Sequence, residues 1–256
     1  MKINVEAVPG IPKINIGDNI GDFIALSVIK SSFEIKDGDI LCVASKAVST
    51  AEGRDINLSN IKPSDLANQI HEKIPRKNPR VIQKIIDETG DPSGGKLEID
   101  NNYIGAWLPN GMRLTSAGID KIDFEHVMLL PENPDLSAKK ISETLQKRLN
   151  VKVGVIITDS DGRIEKLGAT QIAIGLYGVP ALRISEVVDI NTNEMKKSTE
   201  TFCDLLAATA ALIMGQRGTN KPIVKISGVE YEFNENSQII DSLSRVPKDY
   251  FNSHKK

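Results

Sequence analysis

The sequence predicts a protein of mixed α and β structure, on three observations. Short apolar, β-branched runs at residues 40–44 and 151–157 are typical of strands buried on both faces. Residues 78–90 and 199–214 instead carry apolar side chains at helical spacing. A length of 256 residues can bury a large core, as one big domain or as two small ones packed closely together.

Composition excludes several classes of partner. Lys and Arg total 32 against 34 Asp and Glu, so no general electrostatic attraction to nucleic acid or to an anionic membrane is expected. No apolar run is long enough to span a bilayer, and no signal peptide is recognisable. Cys42 and Cys203 lie far apart in apolar stretches, which favours reduced core thiols and a cytoplasmic protein.

The N-terminal half is predicted to begin with a strand at residues 2–8 and a stiff turn at 9–12. A helix at 20–29 and a turn at 36–39 lead to the strand at 40–44. The segment 45–54, rich in small hydroxyls, follows that strand as a solvated loop or as a phosphate contact. Two helices come next, one starting at Pro63-Ser64 and one running from Asn78-Pro79 to Gly90.

Residues 90–96, GDPSGGK, match seven positions of a Walker A loop, but Leu97 replaces the hydroxyl residue that would hold magnesium. A helix precedes the segment and a strand-like stretch follows it, which is the reverse of the P-loop context. We interpret it as a hairpin or surface loop.

In the C-terminal half the sequence predicts a strand at 124–131 and a helix at 137–149. The glycines of 168–180 lack the dinucleotide-binding spacing, and 186–197 is interpreted as a loop. A helix at 199–214, with Gly215 as its C-cap, and a strand at 223–226 follow, while 248–256 is expected to be a frayed tail.

Candidate ligands follow the apolar run 151–157. Thr158, Asp159, Ser160 and Asp161 offer hard oxygens before Gly162, as a magnesium or manganese site carrying phosphate requires, although Asp-Gly is also a common turn. Asp120 follows a run of small residues, which permit close approach of the backbone to a ligand. The loop at residues 215–222 either wraps phosphates or simply joins a helix to a strand. The three histidines lack zinc-type spacing. Because this spacing argues against zinc catalysis, the oxygen ligands predict metal-assisted phosphoryl or acyl-phosphate chemistry.

Across roughly residues 8 to 228 the chain resembles the coenzyme F420-0:gamma-glutamyl ligase family. Dispersed motifs in the family's order carry the resemblance: Gly10-Ile-Pro12, Asp37-Gly-Asp39, Ala51-Glu-Gly-Arg54, Pro79-Arg80, Ala117-Gly-Ile-Asp120, Leu130-Pro131, Pro134-Asp135, Thr158-Asp159, Gly162-Arg163, Ala173-Ile-Gly175 and Met214-Gly-Gln216.

The resemblance implies an α+β fold of mixed sheets and packed helices, built as one unit of two closely packed subdomains, and an intertwined homodimer. It also implies use of GTP and of Mg²⁺ or Mn²⁺, with K⁺ as a further candidate cation. The expected reaction adds L-glutamate to a deazaflavin coenzyme precursor. An acyl phosphate forms on the acceptor carboxylate and is captured by the glutamate amine.

The resemblance implies a role for each residue that stands at a position with a known role in the family. The resemblance implies metal ligation by Asp120, Asp159, Ser160 and Gln216, with Ser160 standing where the family usually has threonine. It implies nucleotide binding at thirteen positions, and it assigns no catalytic residue. The nucleotide-binding positions are Gly10, Ile11, Pro12, Ser45, Lys46, Thr50, Asp123, Met214, Gly215, Gln216, Arg217, Gly218 and Lys221.

Four sites depart from the family. Thr50 replaces a lysine, Asp123 an asparagine and Asn110 a histidine, and Glu165-Lys166 replaces a Trp-Arg pair. Losing a cation or gaining an anion beside a triphosphate weakens binding by about one to a few kcal/mol in a dry site. Two alternatives therefore stand beside the ligase: a glutamate ligase for a folate or pterin-like acceptor, and a non-catalytic relative that binds nucleotide or metal.

Overall fold

The computed structural model describes residues 2–100, 102–190, 193–216 and 218–243, which form an α+β architecture of mixed sheets. The helices in these ranges are α1 (Ile20–Lys30), α2 (Ser45–Ala51), α3 (Asp65–Lys73), α4 (Pro79–Thr89), α5 (Pro134–Leu149) and α6 (Phe202–Met214). The strands are β1 (Asn4–Ala7), β2 (Ile40–Ala44), β3 (Asp55–Asn57), β4 (Leu97–Asp100), β5 (Tyr103–Trp107), β6 (Arg113–Thr115), β7 (Asp120–Lys121), β8 (His126–Met128), β9 (Gly154–Gly162), β10 (Ala169–Tyr177), β11 (Arg183–Val188), β12 (Met195–Glu200) and β13 (Ile223–Ser227).

A five-stranded sheet of order β1-β13-β2-β9-β10 forms the centre of the fold. β2 and β9 are parallel, and β13 is antiparallel to both β1 and β2, so β1, β2 and β9 run in one direction. Apolar side chains of α1, α5 and α6 join those of the sheet in the main hydrophobic core. Their burial is the principal stabilising contribution.

A second, smaller apolar cluster lies between α3, α4 and β5. Five of its six isoleucines come from the helical stripes that the sequence predicted, namely Ile70, Ile74, Ile82, Ile85 and Ile86. β5 pairs with β4 and β6 in a three-stranded sheet, and β3, β8 and β7 form another.

Helix ends follow the expected chemistry. At the start of α4, Asn78 accepts a hydrogen bond from the Arg80 amide and Pro79 takes the first turn; at its end Gly90 is left-handed, with φ 66°. α5 begins at Pro134, earlier than the predicted 137, because Asn133 caps it by accepting from the Leu136 amide.

Several local predictions were wrong. Residues 45–51 form α2 rather than a loop, because Ala47 and Val48 are buried against the core. β9 continues through Gly162, since its last residues pair with β10, so Asp159 and Asp161 lie in a strand and not in a turn.

Two strand regions were not predicted. No element was predicted for 168–180, which contains β10, the edge strand of the central sheet, and the predicted loop at 186–197 overlaps both strands of the β11–β12 hairpin. Because β12 takes residues up to Glu200, α6 begins at Phe202 instead of residue 199. Frequent charged side chains on the hairpin hid its Ile and Val content.

The two cysteines are free and buried, as the sequence predicted. Within the described residues, no helix is both long enough and apolar enough to cross a membrane. The predicted frayed tail, 248–256, lies outside the described residues.

Candidate metal and nucleotide site

One edge of the central sheet gathers most of the predicted site residues. β1, β2 and β9 end at this edge and β13 begins there. The Val8 amide donates to the Ile223 carbonyl at 3.0 Å, and the Ala44 amide donates to the Pro222 carbonyl at 2.8 Å. The segments that follow β1, β2 and β9 and the loop that precedes β13 therefore meet. Ligand crevices commonly lie beyond the carboxyl ends of parallel strands.

Asp159 is the most unusual acid at this edge. It is 8% exposed, and Ser45 Oγ donates a 2.6 Å hydrogen bond to its Oδ1. Burial raises the pKa of Asp159 to about 7, and the charges of Asp120 and Asp161 add to the rise while the Ser45 bond opposes it. No basic side chain in the described part of the chain contributes to that shift. The carboxylate therefore lacks a cation.

Asp120 comes from a different sheet. It starts β7, is exposed, and lies opposite Met128 of β8. Two hydrogen bonds join the preceding segment to β9: the Thr115 amide donates to Asp161 Oδ1 at 2.9 Å, and Thr115 Oγ1 donates to the Gly162 carbonyl at 2.8 Å. These bonds hold Asp120 near enough for its charge to act on Asp159.

The end of α6, from which the loop 215–222 starts, lies beside β9. Thr158 Oγ1 contacts Met214 Sδ at 3.7 Å, and Thr219 Oγ1 bonds the Met214 carbonyl. Gln216 is exposed in this loop, directly after Gly215, whose φ is 65°. Gly218 and Lys221 are also exposed, and Arg217 lies outside the described residues.

The donor set suits a hard divalent cation. In the described residues no group of three or more His, Cys, Asp or Glu side chains is placed to hold a metal ion. The two carboxylates, the Ser160 hydroxyl and the Gln216 amide are nevertheless all oxygen donors, and Mg²⁺ usually takes one or two carboxylates and completes its shell with water and phosphate. Asp120, Asp159, Ser160 and Gln216 therefore fit Mg²⁺ or Mn²⁺ better than Zn²⁺.

The turn after β1 borders a cavity. Gly10 and Pro12 line this space of about 340 Å³ together with Phe23, Leu26 and Lys30 of α1. Ser27 Oγ bonds the Pro9 carbonyl and fixes the turn against the helix. Ile11 is partly buried beside the main core. The cavity and Lys46, exposed on α2, lie toward the β1 and β2 side of the edge.

The departures from the family pattern occupy local roles. Thr50 Oγ1 donates to the Lys46 carbonyl at 2.8 Å, within α2. Asp123 Oδ1 accepts from the Glu125 and His126 amides at 2.7 and 2.8 Å, and these bonds lower the pKa of Asp123. Asn110 Oδ1 likewise accepts from the Met112 amide. Thr50, Asp123 and Asn110 thus have polar partners on their own elements.

Some motif residues act structurally. Glu52 accepts from Ser137 Oγ at 2.5 Å and from the Glu132 amide at 3.0 Å, and thereby holds the start of α5. A Cβ added to Gly175 would lie 2.4 Å from the Pro134 carbonyl carbon, so only glycine lets α5 approach β10 this closely.

Sequence reasoning missed two buried polar groups beside the site. Gln171 is 7% exposed, opposes Ser160 across the β9–β10 pair, and its Oε1 has no hydrogen-bond partner among the described residues. Ser49, 1% exposed and one turn after Ser45, likewise has no partner for its Oγ in the described part of the chain. Once β10 is recognised as the partner of β9, its pairing register points to Gln171.

Comparison with known proteins decides the family. The model of the F420-0:Gamma-glutamyl ligase family matches residues 10–228. This chain belongs to that family. The F420-0:gamma-glutamyl ligase resemblance inferred from dispersed motifs is therefore confirmed.

Curated members of the F420-0:gamma-glutamyl ligase family match along most of their length. The chain is 35% identical over 233 residues to the coenzyme F420:L-glutamate ligase of Methanopyrus kandleri, covering 90% of this chain and 88% of the relative. It is 33% identical over 245 residues to the Methanosarcina mazei enzyme of the same name, covering 94% and 92%. It is also 35% identical over 216 residues to the coenzyme F420:L-glutamate ligase of Methanocaldococcus jannaschii, covering 83% of this chain and 84% of the relative.

Proposed function

We propose that this protein is a nucleotide- and divalent-metal-dependent ligase that adds L-glutamate to a small carboxylate acceptor of the coenzyme F420-0 type. The relatives named above are coenzyme F420:L-glutamate ligases, which supports both the glutamate and the acceptor class. GTP is the proposed nucleotide, and Mg²⁺ or Mn²⁺ the proposed metal, with K⁺ as a further candidate.

The buried carboxylate of Asp159 carries this proposal. Its desolvation and the nearby charges of Asp120 and Asp161 raise its pKa, and such an arrangement of acids is costly unless a cation lies among them. It sits at the sheet edge where the segments proposed to bind nucleotide meet. A structural acid would more commonly have a basic partner.

The proposed reaction has two steps. An acceptor carboxylate oxygen attacks the γ-phosphorus of GTP, and GDP leaves as the acyl phosphate forms. The amine of L-glutamate then attacks the acyl carbon, an amide bond forms, inorganic phosphate leaves, and the amine releases a proton. A bound divalent cation would neutralise charge on the phosphates.

The chain's own residues would orient the reactants. Asp120, Asp159, Ser160 and Gln216 would hold the cation, and Ser45 fixes the Asp159 carboxylate through its hydrogen bond. Gly10 to Pro12, Lys46 and the loop 214–221 would contact the nucleotide. In an acidic site, the exposed Lys46 and Lys221 would supply positive charge for the triphosphate.

We further propose that the protein works as a homodimer. The β11–β12 hairpin pairs only with itself among the described strands, and both of its strands are almost wholly exposed. Ile184, Val187, Val188 and Met195 leave apolar surface uncovered on it. An isolated two-stranded hairpin is marginally stable in water, so a partner subunit would cover it. Sedimentation equilibrium tests this state, and a concentration-independent monomer would contradict it.

The ligase assignment is tested by incubating purified protein with GTP or ATP, Mg²⁺ or Mn²⁺, L-glutamate and the deazaflavin precursor. The expected result is nucleotide consumption that requires both co-substrates and an acceptor mass increased by one glutamate residue. Parallel reactions with folate or pterin-like acceptors decide between acceptor classes, because the departures at positions 50, 110, 123 and 165–166 could alter the pocket. Tight binding of GTP and metal without turnover would support a non-catalytic relative.

A further inference from the structure

Lys77 is a partly buried cation in the segment between α3 and α4. Its Nζ donates a 2.6 Å hydrogen bond to Ser116 Oγ, and in the described part of the chain Lys77 forms no ion pair with a carboxylate. Burial and the adjacent Arg76 guanidinium lower the pKa of Lys77 to about 8. The N-terminus of α4, two residues further on, adds positive potential. Such a charge is unfavourable unless an anion joins it.

The Lys77 backbone is held firmly. Its amide donates to the Ile74 carbonyl at 3.0 Å, and its carbonyl lies 2.9 Å from His71 Nδ1. Because a carbonyl can only accept, the proton of His71 must be on Nδ1. Asn78 then caps α4 directly after Lys77. The ammonium therefore extends from a fixed point rather than from a free loop.

Ser116 connects this cation to the candidate site. Ser116 and Ala117 both have left-handed backbones, with φ of 54° and 57°, in the turn just before Asp120. The preceding residue, Thr115, is hydrogen-bonded to Asp161 and Gly162 of β9. Through Ser116, Lys77 thus contacts the turn that leads to Asp120 and is bonded to β9, whereas the proposed nucleotide segments follow β1 and β2 and precede β13. No carboxylate of the described residues contributes to the pKa of Lys77, so its ammonium forms no close pair with these acids.

We infer that Lys77 and Ser116 form a seat for a carboxylate of a co-substrate other than the nucleotide. This inference rests on the proposed ligase function. L-glutamate and its acceptor both carry carboxylates, and Asp120, Asp159 and Asp161 would repel any that does not react. A nearby ammonium with a hydroxyl beside it supplies the charge and the hydrogen bonds to hold such a group.

Lys77→Met tests the carboxylate seat, because methionine keeps the aliphatic stem and removes the charge. Lys84→Met is the matched control, since Lys84 lies on α4 and pairs with Glu88 at 2.8 Å. We expect Lys77→Met to raise KM for L-glutamate or for the acceptor about tenfold or more, with KM for GTP within about twofold. Which KM rises identifies the source of the carboxylate. Lys77→Arg should recover part of the loss, and Lys84→Met should behave as wild type.

A binding measurement separates this inference from the ligase proposal. If wild type consumes no nucleotide, calorimetric titration with L-glutamate and with the deazaflavin precursor still compares wild type with Lys77→Met. Weaker binding of either compound by the variant, at a melting temperature that is not lowered, supports the carboxylate seat. Equal affinities, a change confined to KM for GTP, or a lowered melting temperature with unchanged KM values would overturn it.

Discussion

The Ser45 hydroxyl donates a 2.6 Å hydrogen bond to Oδ1 of the buried Asp159, joining the ends of two adjacent parallel strands. The carboxylate has no basic partner in the described residues, so this bond is its principal compensation for burial. Ser45→Ala should lower the free energy of unfolding by about 1–3 kcal/mol at pH 8 without metal. Urea denaturation measures this. The control is Ser49→Ala, one turn further along α2, where an unpartnered hydroxyl is removed. It should be neutral or stabilising, and equal losses would contradict the role given to Ser45.

Asp159→Asn should leave the fold intact and abolish the response to ligand. Asparagine can still accept from Ser45 while removing the buried charge, so the melting temperature without metal should not fall. Mn²⁺ with GTP should raise the melting temperature of wild type by mass action and not that of the variant. Asp241→Asn, in the short helix at Ile239–Ser242, serves as control. An unchanged response in Asp159→Asn would remove this residue from the metal site.

Gly175→Ala should destabilise the protein without touching the site. The new methyl would meet the Pro134 backbone and the Asp135 amide nitrogen at 2.4 and 2.7 Å, and neither can move without shifting α5. The expected loss is about 1–3 kcal/mol or more in the free energy of unfolding. Gly168→Ala is the matched control, because among the described residues no atom beyond its chain neighbours lies within 4 Å of its added Cβ. Equal stability of the two variants would argue against this packing.

Stability should also depend on pH through Lys77. Its pKa is about 8 in the folded protein against an ordinary 10.5, so folding disfavours its charged form. The cost is fully present below pH 8 and disappears as pH rises toward 10.5, because the folded state loses its proton first. Lys77→Met should therefore exceed wild type in stability at pH 7, by at most about 3 kcal/mol. Denaturant titrations from pH 7 to 10 should show the difference shrinking, and a constant or growing difference would contradict this account.

Sequence patterns located the regular elements well where one physical signal dominated. The caps of α4, Asn78 and Gly90, were correctly predicted because side-chain and left-handed capping are local effects. The apolar run at residues 40–44 was also sufficient to predict β2, since a strand buried on both faces contains few polar residues. The β11–β12 hairpin was missed because the charged side chains of 186–197 resemble those of a loop.

The candidate site was only partly accessible to sequence reasoning. Asp120 and Asp159 could be named, but their proximity depends on Thr115 bonding to Asp161, a contact between residues 46 positions apart. Gln171 became visible only through its register with Ser160. Lys77 carries no motif signal at all, because its significance lies in burial without a carboxylate. Long-range pairing and desolvation are set by the folded chain.

The central claim is that Asp120 and Asp159 share one divalent cation that binds the nucleotide phosphates. Anomalous diffraction at the manganese edge, from crystals grown with Mn²⁺ and a non-hydrolysable GTP analogue, tests it most directly. The account predicts a peak about 2.0–2.3 Å from a carboxylate oxygen of each residue and from a phosphate oxygen. A nucleotide-bound crystal with its manganese elsewhere, or with Asp120 and Asp159 both unliganded, would contradict the account.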